Sequence, residues 1–394
     1  MFQKGLNEQI YLLKKNLLRD LKNSIKKILI AHSSNDNYGA SKILISIIEI
    51  FINNGFDIYL VLPNNGPLNN NEIIKKTNIK IIKLGVFRKK YLSFFGLINR
   101  LFFILKSSNY IKNFIVKNQI DLVYTNTSTL ISPPIAAKLA GIPSIYHIHE
   151  IPNNNSIYTR FMTAFLNNLS RDIICVSKSV YNFWIINGLK KSKAKIIYNG
   201  FNIKKTKSKI LSNNKIVFTS ISRIIPYKGH SLLIRIFEML CKKNKNIYLQ
   251  IVGDTLPEYQ KYLRELKLDI KQKGLNNKIK FLGFRNDVIS ILNESNFFIH
   301  TPLSPDPFPT VIFEAIKCQI PVITNKLGGA YEILDEGKNG LIINNDLVEE
   351  SVAKILSYLD NKKQQSKNVE KAFVYVCENF SHKNFARKIL NTVE

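Results

Sequence analysis

Asp306 and Glu314 bracket the run Asp306-Pro307-Phe308-Pro309-Thr310-Val311-Ile312-Phe313-Glu314, with seven residues between them. Three prolines, Pro305, Pro307 and Pro309, forbid a helix around Asp306 and put it in a loop. Pro309 suits the first position of a helix, so Glu314 is expected over a turn inside it, on the face of Thr310. A loop carboxylate, a helix carboxylate and bare amides at a helix start make a cradle for an anionic, hydroxyl-rich ligand. Arg223 and Lys228 lie in the run 222–230, where an apolar stretch ends. Two cations at the carboxyl end of a strand suit a departing diphosphate, although taken alone they read as solvated surface charges. Glycine turns follow other apolar stretches at Gly253-Asp254, at Gly283 ahead of Arg285, and at Gly328-Gly329; each is ordinary by itself.

These residues need elements to carry them. Apolar stretches predict strands at 27–32, 57–62, 79–84, 122–125 and 144–149, with helices between them such as 40–53. The pattern restarts after the basic stretch 204–215, with strands at 216–221, 247–252, 279–282, 297–300, 321–324 and 340–343 and helices such as 231–242 and 257–273. This alternation predicts α/β architecture: two doubly wound, Rossmann-like domains with ligands beyond the carboxyl ends of the strands, in the cleft between them. The expected divisions are an amphipathic helical extension at 1–26, a first domain at 27–203, a second at 204–376, and a C-terminal helix at 377–394 packing back on the first.

The bulk composition narrows the class. A chain of 394 residues exceeds one ordinary core. Its net charge is +29, with 27 basic against 9 acidic residues in 1–200 and 30 against 19 in 201–394. Such an excess suits nucleic acid, an anionic membrane or an anionic substrate, or reflects the abundance of Lys, Ile and Asn throughout. No nucleic-acid motif accompanies the charge, so none is expected as a partner. Basic residues beside aromatics between Arg88 and Lys106, with Lys14 and Lys15, point to an anionic membrane surface; an amphipathic core helix explains the first stretch equally well. The four cysteines are scattered, which fits a reducing cytoplasm, and no apolar run reaches the roughly 18 residues of a spanning helix. A cytoplasmic protein is expected, with a peripheral position on the inner face of the membrane as an extension of that reading.

The first half offers Tyr38-Gly39-Ala40-Ser41 at a helix entry and His147-Ile148-His149-Glu150 at a strand end. His147 and His149 share a strand face, but no third metal ligand is placed, and no Asp-x-Asp triplet suggests a metal on a diphosphate. The order of all these elements, over nearly the whole chain from Lys27 and most strongly over 217–343, resembles the retaining glycosyltransferases of family 4, which have the two-domain GT-B fold. The resemblance implies a nucleoside diphosphate sugar as donor, a saccharide or lipid-linked saccharide as acceptor, no metal or other cofactor, and a role in bacterial surface polysaccharide synthesis. It assigns Arg223 and Lys228 to the diphosphate, Glu314 to the ribose, Asp306 and His149 to the transferring sugar, and Thr310 and Val311, beside Phe308, to hydroxyls and phosphate. Gly39 and Gly253 would flank the donor, and Gly283 to Arg285 would lie beside the base. The sequence departs from the family in two places: Asp306 stands where Glu is usual, its carboxylate set back by ~1.5 Å, and Tyr331 stands where Pro is common. Two alternatives remain at this level, a non-catalytic membrane- or nucleic-acid-binding protein on the same scaffold and a GT-B nucleotide-sugar epimerase.

Overall fold

The computed structural model describes residues 25–36, 38–86, 94–152, 157–206 and 215–393, with side chains of the helix Phe94–Asn118 described from residue 99. The expected helix over 1–24, the basic residues Lys14, Lys15 and Arg88 to Lys90, and most of the basic stretch 204–215 lie outside the described residues.

Seven parallel strands form the first sheet: β1 (Lys27–Ala31), β2 (Asp57–Leu62), β3 (Asn78–Ile81), β4 (Leu122–Thr125), β5 (Ser144–Ile148), β6 (Asp172–Cys175) and β7 (Ala194–Ile196), in the order β3-β2-β1-β4-β5-β6-β7. Six more form the second: β8 (Ile216–Ile221), β9 (Ile247–Val252), β10 (Ile279–Gly283), β11 (Phe297–His300), β12 (Val322–Thr324) and β13 (Leu341–Ile342), in the order β10-β9-β8-β11-β12-β13. Both are doubly wound GT-B sheets, with the order reversing beside the first strand of each. That reversal opens a crevice at the carboxyl ends of β1 and β8.

Strand β1 explains why the apolar runs are continuous. A parallel sheet is covered on both faces, so alternate residues enter different cores. Ile28 and Ile30 pack with Leu44, Ile47 and Phe51 of the helix Gly39–Asn53. Leu29 and Ala31 pack on the other face, with Ile111 and Ile115 of the helix Phe94–Asn118 and Ala136 of the helix Ser132–Leu139. All four β1 residues are fully buried.

The chain crosses between the two units twice, side by side. Phe201 N–H donates to the Phe380 carbonyl at 2.9 Å, and His382 N–H donates to the Phe201 carbonyl at 3.1 Å. The helix Lys362–Asn379 stays with the second unit, past the expected division at 376. The helix His382–Leu390 lies on the first, placing Phe385 and Ile389 in the β1 core and His382 Nε2 3.1 Å from Ser46 Oγ. The Phe201 and Phe313 rings stack at 4.0 Å across this junction. Strand β7 was not expected: it lies at a sheet edge with Ala194 and Ile196 half-buried and Lys195 exposed, which leaves little apolar signal.

Candidate active site

The second unit builds its side of the cleft from the ends of β8, β9 and β10. Ser222 N–H donates to the Val252 carbonyl at 3.0 Å, Ile224 N–H to Asp254 at 2.9 Å, and Gly253 N–H to Gly283 at 2.8 Å. Gly253 has φ +137°, and a Cβ there would lie 1.9 Å from the Ser222 carbonyl oxygen, so only glycine lets these loops meet. The Arg223 guanidinium projects from this platform and stacks over the Tyr38 ring of the first unit, 3.8 Å from its centroid. Among the described residues no carboxylate pairs with it. Arg285 also lines the cleft but is held by Asp287, its Nε 2.7 Å from Oδ1.

Lys228, unlike Arg223, has a carboxylate partner. Its Nζ donates to Asp306 Oδ2 in a largely buried ion pair. His300 Nε2, at the end of β11, lies 3.2 Å from the same oxygen. Burial alone would raise the Asp306 carboxyl, but the Lys228 charge and His300 reverse this and hold it well below the usual carboxylate range. Backbone ties fix the loop: Gly329 N–H donates to the Asp306 carbonyl at 2.7 Å, and a Cβ on Gly328, at φ +76°, would sit 2.1 Å from that oxygen. Asp306 and Lys228 are paired with each other, and neither is among the residues lining the cleft.

The helix after this loop is Val311–Lys317, beginning two residues later than Pro309 predicts. Its first turn is tight, with Ile312 N–H donating to the Pro309 carbonyl at 3.2 Å, so Pro309 and Thr310 lead in without being counted helical. Thr310, Val311 and Glu314 line the cleft as one face. Glu314 Oε1 lies 3.3 Å from Lys42 Nζ of the first unit, on the helix Gly39–Asn53. Phe308 does not face the cleft. Its ring is 6% exposed and packs on Tyr198, Phe313 and Phe380, because the Pro-Phe-Pro turn points it into the junction core. Any donor contact at Phe308 is left to its backbone.

The first unit faces these residues with Tyr38, Gly39, Ser41 and Lys42. A Cβ on Gly39 would touch Thr310 only at 3.8 Å, so its missing side chain enlarges the cleft and relieves no clash. His149 follows β5, with Nε2 2.8 Å from Asn126 Oδ1 and its ring against His147 at a centroid distance of 4.3 Å. His147 is fully buried, its Nδ1 2.8 Å from the Tyr124 hydroxyl, and burial pushes it down to about 3. Glu150 turns away to hold the loop after β4, accepting from the Thr127 hydroxyl and from Ser128 N–H and Oγ, both at 3.1 Å. Ser177 is a plain cap, accepting from Val180 N–H at 3.2 Å.

The resulting cleft holds about 470 Å³ and brings Gly39, Gly253, Arg223, Arg285, Thr310, Val311 and Glu314 together. His149, Lys228, Asp306, Gly283 and Phe308 are outside its lining. Among the described residues no group of three or more His, Cys, Asp or Glu could hold a metal ion.

Two contributors carried no signal in the sequence. Lys42 is an ordinary type on the helix after Gly39, and its partner Glu314 comes from the facing unit. Glu332, in the helix Gly329–Ile333, accepts from Lys178 N–H at 2.8 Å, Ser179 N–H at 2.7 Å and the Tyr198 hydroxyl at 2.9 Å. Its carboxylate thus caps a helix of the other unit, pinning the two together.

A family model described as Glycosyl transferases group 1 matches residues 202–374, and one described as Glycosyltransferase Family 4 matches residues 38–205. An uncharacterized glycosyltransferase of Methanocaldococcus jannaschii is 27% identical over 226 residues, 55% of this chain and 56% of the relative. The GPI3 subunit of phosphatidylinositol N-acetylglucosaminyltransferase from Saccharomyces cerevisiae is 26% identical over 243 residues, 57% of this chain and 52% of the relative. The matches therefore span about half the length of these curated relatives. The UDP-Gal:alpha-D-GlcNAc-diphosphoundecaprenol alpha-1,3-galactosyltransferase of Escherichia coli is 24% identical over 373 residues, 87% of this chain and 90% of that one. Among solved structures, Anabaena HepE in complex with UDP and glucose superposes with a TM-score of 0.78 at 25% identity, over 94% of this chain and 99% of that one.

Proposed function

We propose, for a chain that belongs to the group 1 glycosyl transferases with a family 4 glycosyltransferase domain ahead of them, that its cleft binds a UDP-hexose and passes the sugar, with retention, to a saccharide or lipid-linked saccharide hydroxyl. The observation that carries this reading is Arg223. It is a cleft-lining cation without a carboxylate partner among the described residues, stacked on Tyr38 in a cleft of about 470 Å³. A diphosphate is the ligand such a charge accepts. UDP as the base-bearing part follows from HepE, which was also solved with UDP-glucose, and from the UDP-Gal donor in the name of the Escherichia coli relative. A lipid-linked acceptor, and with it surface polysaccharide synthesis, follows from that relative's name.

Retention fits the state of the carboxylates. Asp306 is committed to Lys228, Glu314 faces Lys42, Asp287 holds Arg285 and Glu150 holds the Thr127–Ser128 loop. None of these four stands open as a nucleophile for a covalent intermediate, and Asp254, which also lines the cleft, accepts from Thr255 N–H at 2.7 Å. In the reaction we propose, the bond from the anomeric carbon to the β-phosphate oxygen breaks. The acceptor oxygen bonds that carbon from the same face, and its proton passes to the departing phosphate. Arg223 would stabilise the charge that grows there.

Glu314, released from Lys42, would take the ribose hydroxyls. Glu314→Ala is expected to lower kcat/KM for the donor by about 10- to 100-fold, the scale of hydrogen bonds to a charged group. Transfer from radiolabelled UDP-hexose measures it, and unchanged transfer rejects the site.

We also propose that the protein sits at an anionic membrane surface. The helix Phe94–Asn118 exposes Leu101, Phe102 and Leu105 on one face beside Lys106, and among the described residues no helix is long and apolar enough to cross a membrane. The protein should float with anionic liposomes at low salt and release at high salt, since each basic residue at the surface contributes about 1 kcal/mol. Failure to float at low salt removes the membrane from the proposal and leaves the transferase reading intact.

A further inference from the structure

A line of buried polar groups runs from His149 to the loop before Gly39. Asn126 follows β4, fully buried, and its N–H donates to the Ala31 carbonyl at 2.9 Å. Its Nδ2 lies 3.5 Å from the Ala40 carbonyl oxygen, which only accepts, so the amide must present its NH2 there. The same Nδ2 is 3.2 Å from His32 Nδ1, which therefore accepts. His32 then carries its proton on Nε2, 3.2 Å from Ser41 Oγ and 3.2 Å from Ser34 Oγ. Ser41 in turn donates to Asp36 Oδ1 at 2.7 Å, and Tyr38 N–H donates to that oxygen at 3.0 Å. At the other end Asn126 Oδ1 can only accept, so the proton between it and His149, 2.8 Å away, sits on His149 Nε2.

We propose that Asn126, oriented by Ala40 and by the His32–Ser41–Asp36 line, is a positioning residue that locks His149 with its proton on Nε2, leaving Nδ1 as a lone pair that accepts from a hydroxyl of the transferring sugar. The sugar contact rests on the transferase reading above; the tautomer does not. Among the described residues Nδ1 has no protein partner, and it is not among the buried atoms lacking one. Both rings are neutral at pH 7. Burial pushes His32 down to about 4, and burial with His147 and His32 nearby holds His149 well below the usual range. The line also ties Asp36, Tyr38 and Ser41, at the cleft entry, to the ring that meets the sugar.

The tautomers are read directly in protein labelled with ¹⁵N-histidine, by long-range proton–nitrogen correlation at pH 7. The wild type is expected to show both His149 and His32 protonated on Nε2. Asn126→Leu should leave His149 a mixture of tautomers and lower kcat about tenfold, the scale of one neutral hydrogen bond. Asn126→Asp keeps an acceptor for His149 but removes the donor to His32. It should hold His149 on Nε2, move the His32 proton to Nδ1, and serve where Asn126→Leu fails to fold. Wild-type His149 protonated on Nδ1, or a tautomer unmoved in Asn126→Leu, overturns the proposal. Tautomers that move as expected in a protein that transfers from no nucleotide sugar uphold the positioning role and reject the transferase reading.

Discussion

Arg223→Met is expected to cut kcat by about two to three orders of magnitude, the cost of removing one preorganised group that stabilises transition-state charge. The fold should be nearly unaffected. The side chain has no carboxylate partner among the described residues, and its stacking on Tyr38, 3.8 Å to the ring centroid, joins two half-buried groups and is worth about 0.5–2 kcal/mol. Methionine keeps the stem over the ring and removes the charge. Steady-state transfer beside a urea melt separates the two effects. A variant with full activity removes Arg223 from the diphosphate, and one that unfolds shows that the guanidinium serves the fold.

Lys228→Met is expected to do the reverse, costing stability first. The Lys228 side chain is 25% exposed and the Asp306 side chain 10%, so removing the ammonium strands a carboxylate away from water. Breaking such a buried pair costs about 3–5 kcal/mol. The lower end applies here, because His300 Nε2 stays 3.2 Å from the carboxylate. The pH dependence has a definite sign. In the wild type the folded Asp306 carboxyl lies below its unfolded value of about 3.9. Its contribution is complete above that value and is lost as pH falls through the folded one. In Lys228→Met burial is opposed by His300 alone, so the folded carboxyl rises from its wild-type position. In acid the folded variant then binds more protons than the folded wild type, so its loss shrinks as pH falls. The gap in urea midpoint between wild type and variant should be wide at pH 7 and narrow towards pH 4. A gap of constant width would mean that the pair does not form.

These opposite expectations mark where the sequence stopped being readable. It placed Arg223 and Lys228 together at the end of β8 and offered both to a diphosphate. Whether each charge was free depended on partners far along the chain: Asp306 is 78 residues from Lys228, and Glu314 is 272 from Lys42. Periodicity does not encode such pairings. It does encode strands, and the β8, β9 and β11 runs were found because both faces of a parallel strand are apolar. Glu314 was legible because a proline turn fixes where a helix starts to within two residues. Phe308 was not, since the same turn can aim a ring at the cleft or at the junction core, and Tyr198, Phe313 and Phe380 decide it. Asp306 was expected to be set back by about one bond length from the reach of a Glu; its carboxylate pairs with Lys228, and its carbonyl accepts from Gly329 N–H.

The most direct test of the cleft as a nucleotide-sugar site is a thermal-shift panel of UDP-, GDP- and dTDP-sugars on wild type and Arg223→Met. A ligand at a hundredfold excess over its Kd stabilises the folded state by about 2.7 kcal/mol. A UDP-hexose is predicted to raise the wild-type midpoint and to leave that of Arg223→Met where it stood without ligand. A wild type that no nucleotide sugar stabilises, or a variant stabilised as strongly as the wild type, would contradict the account.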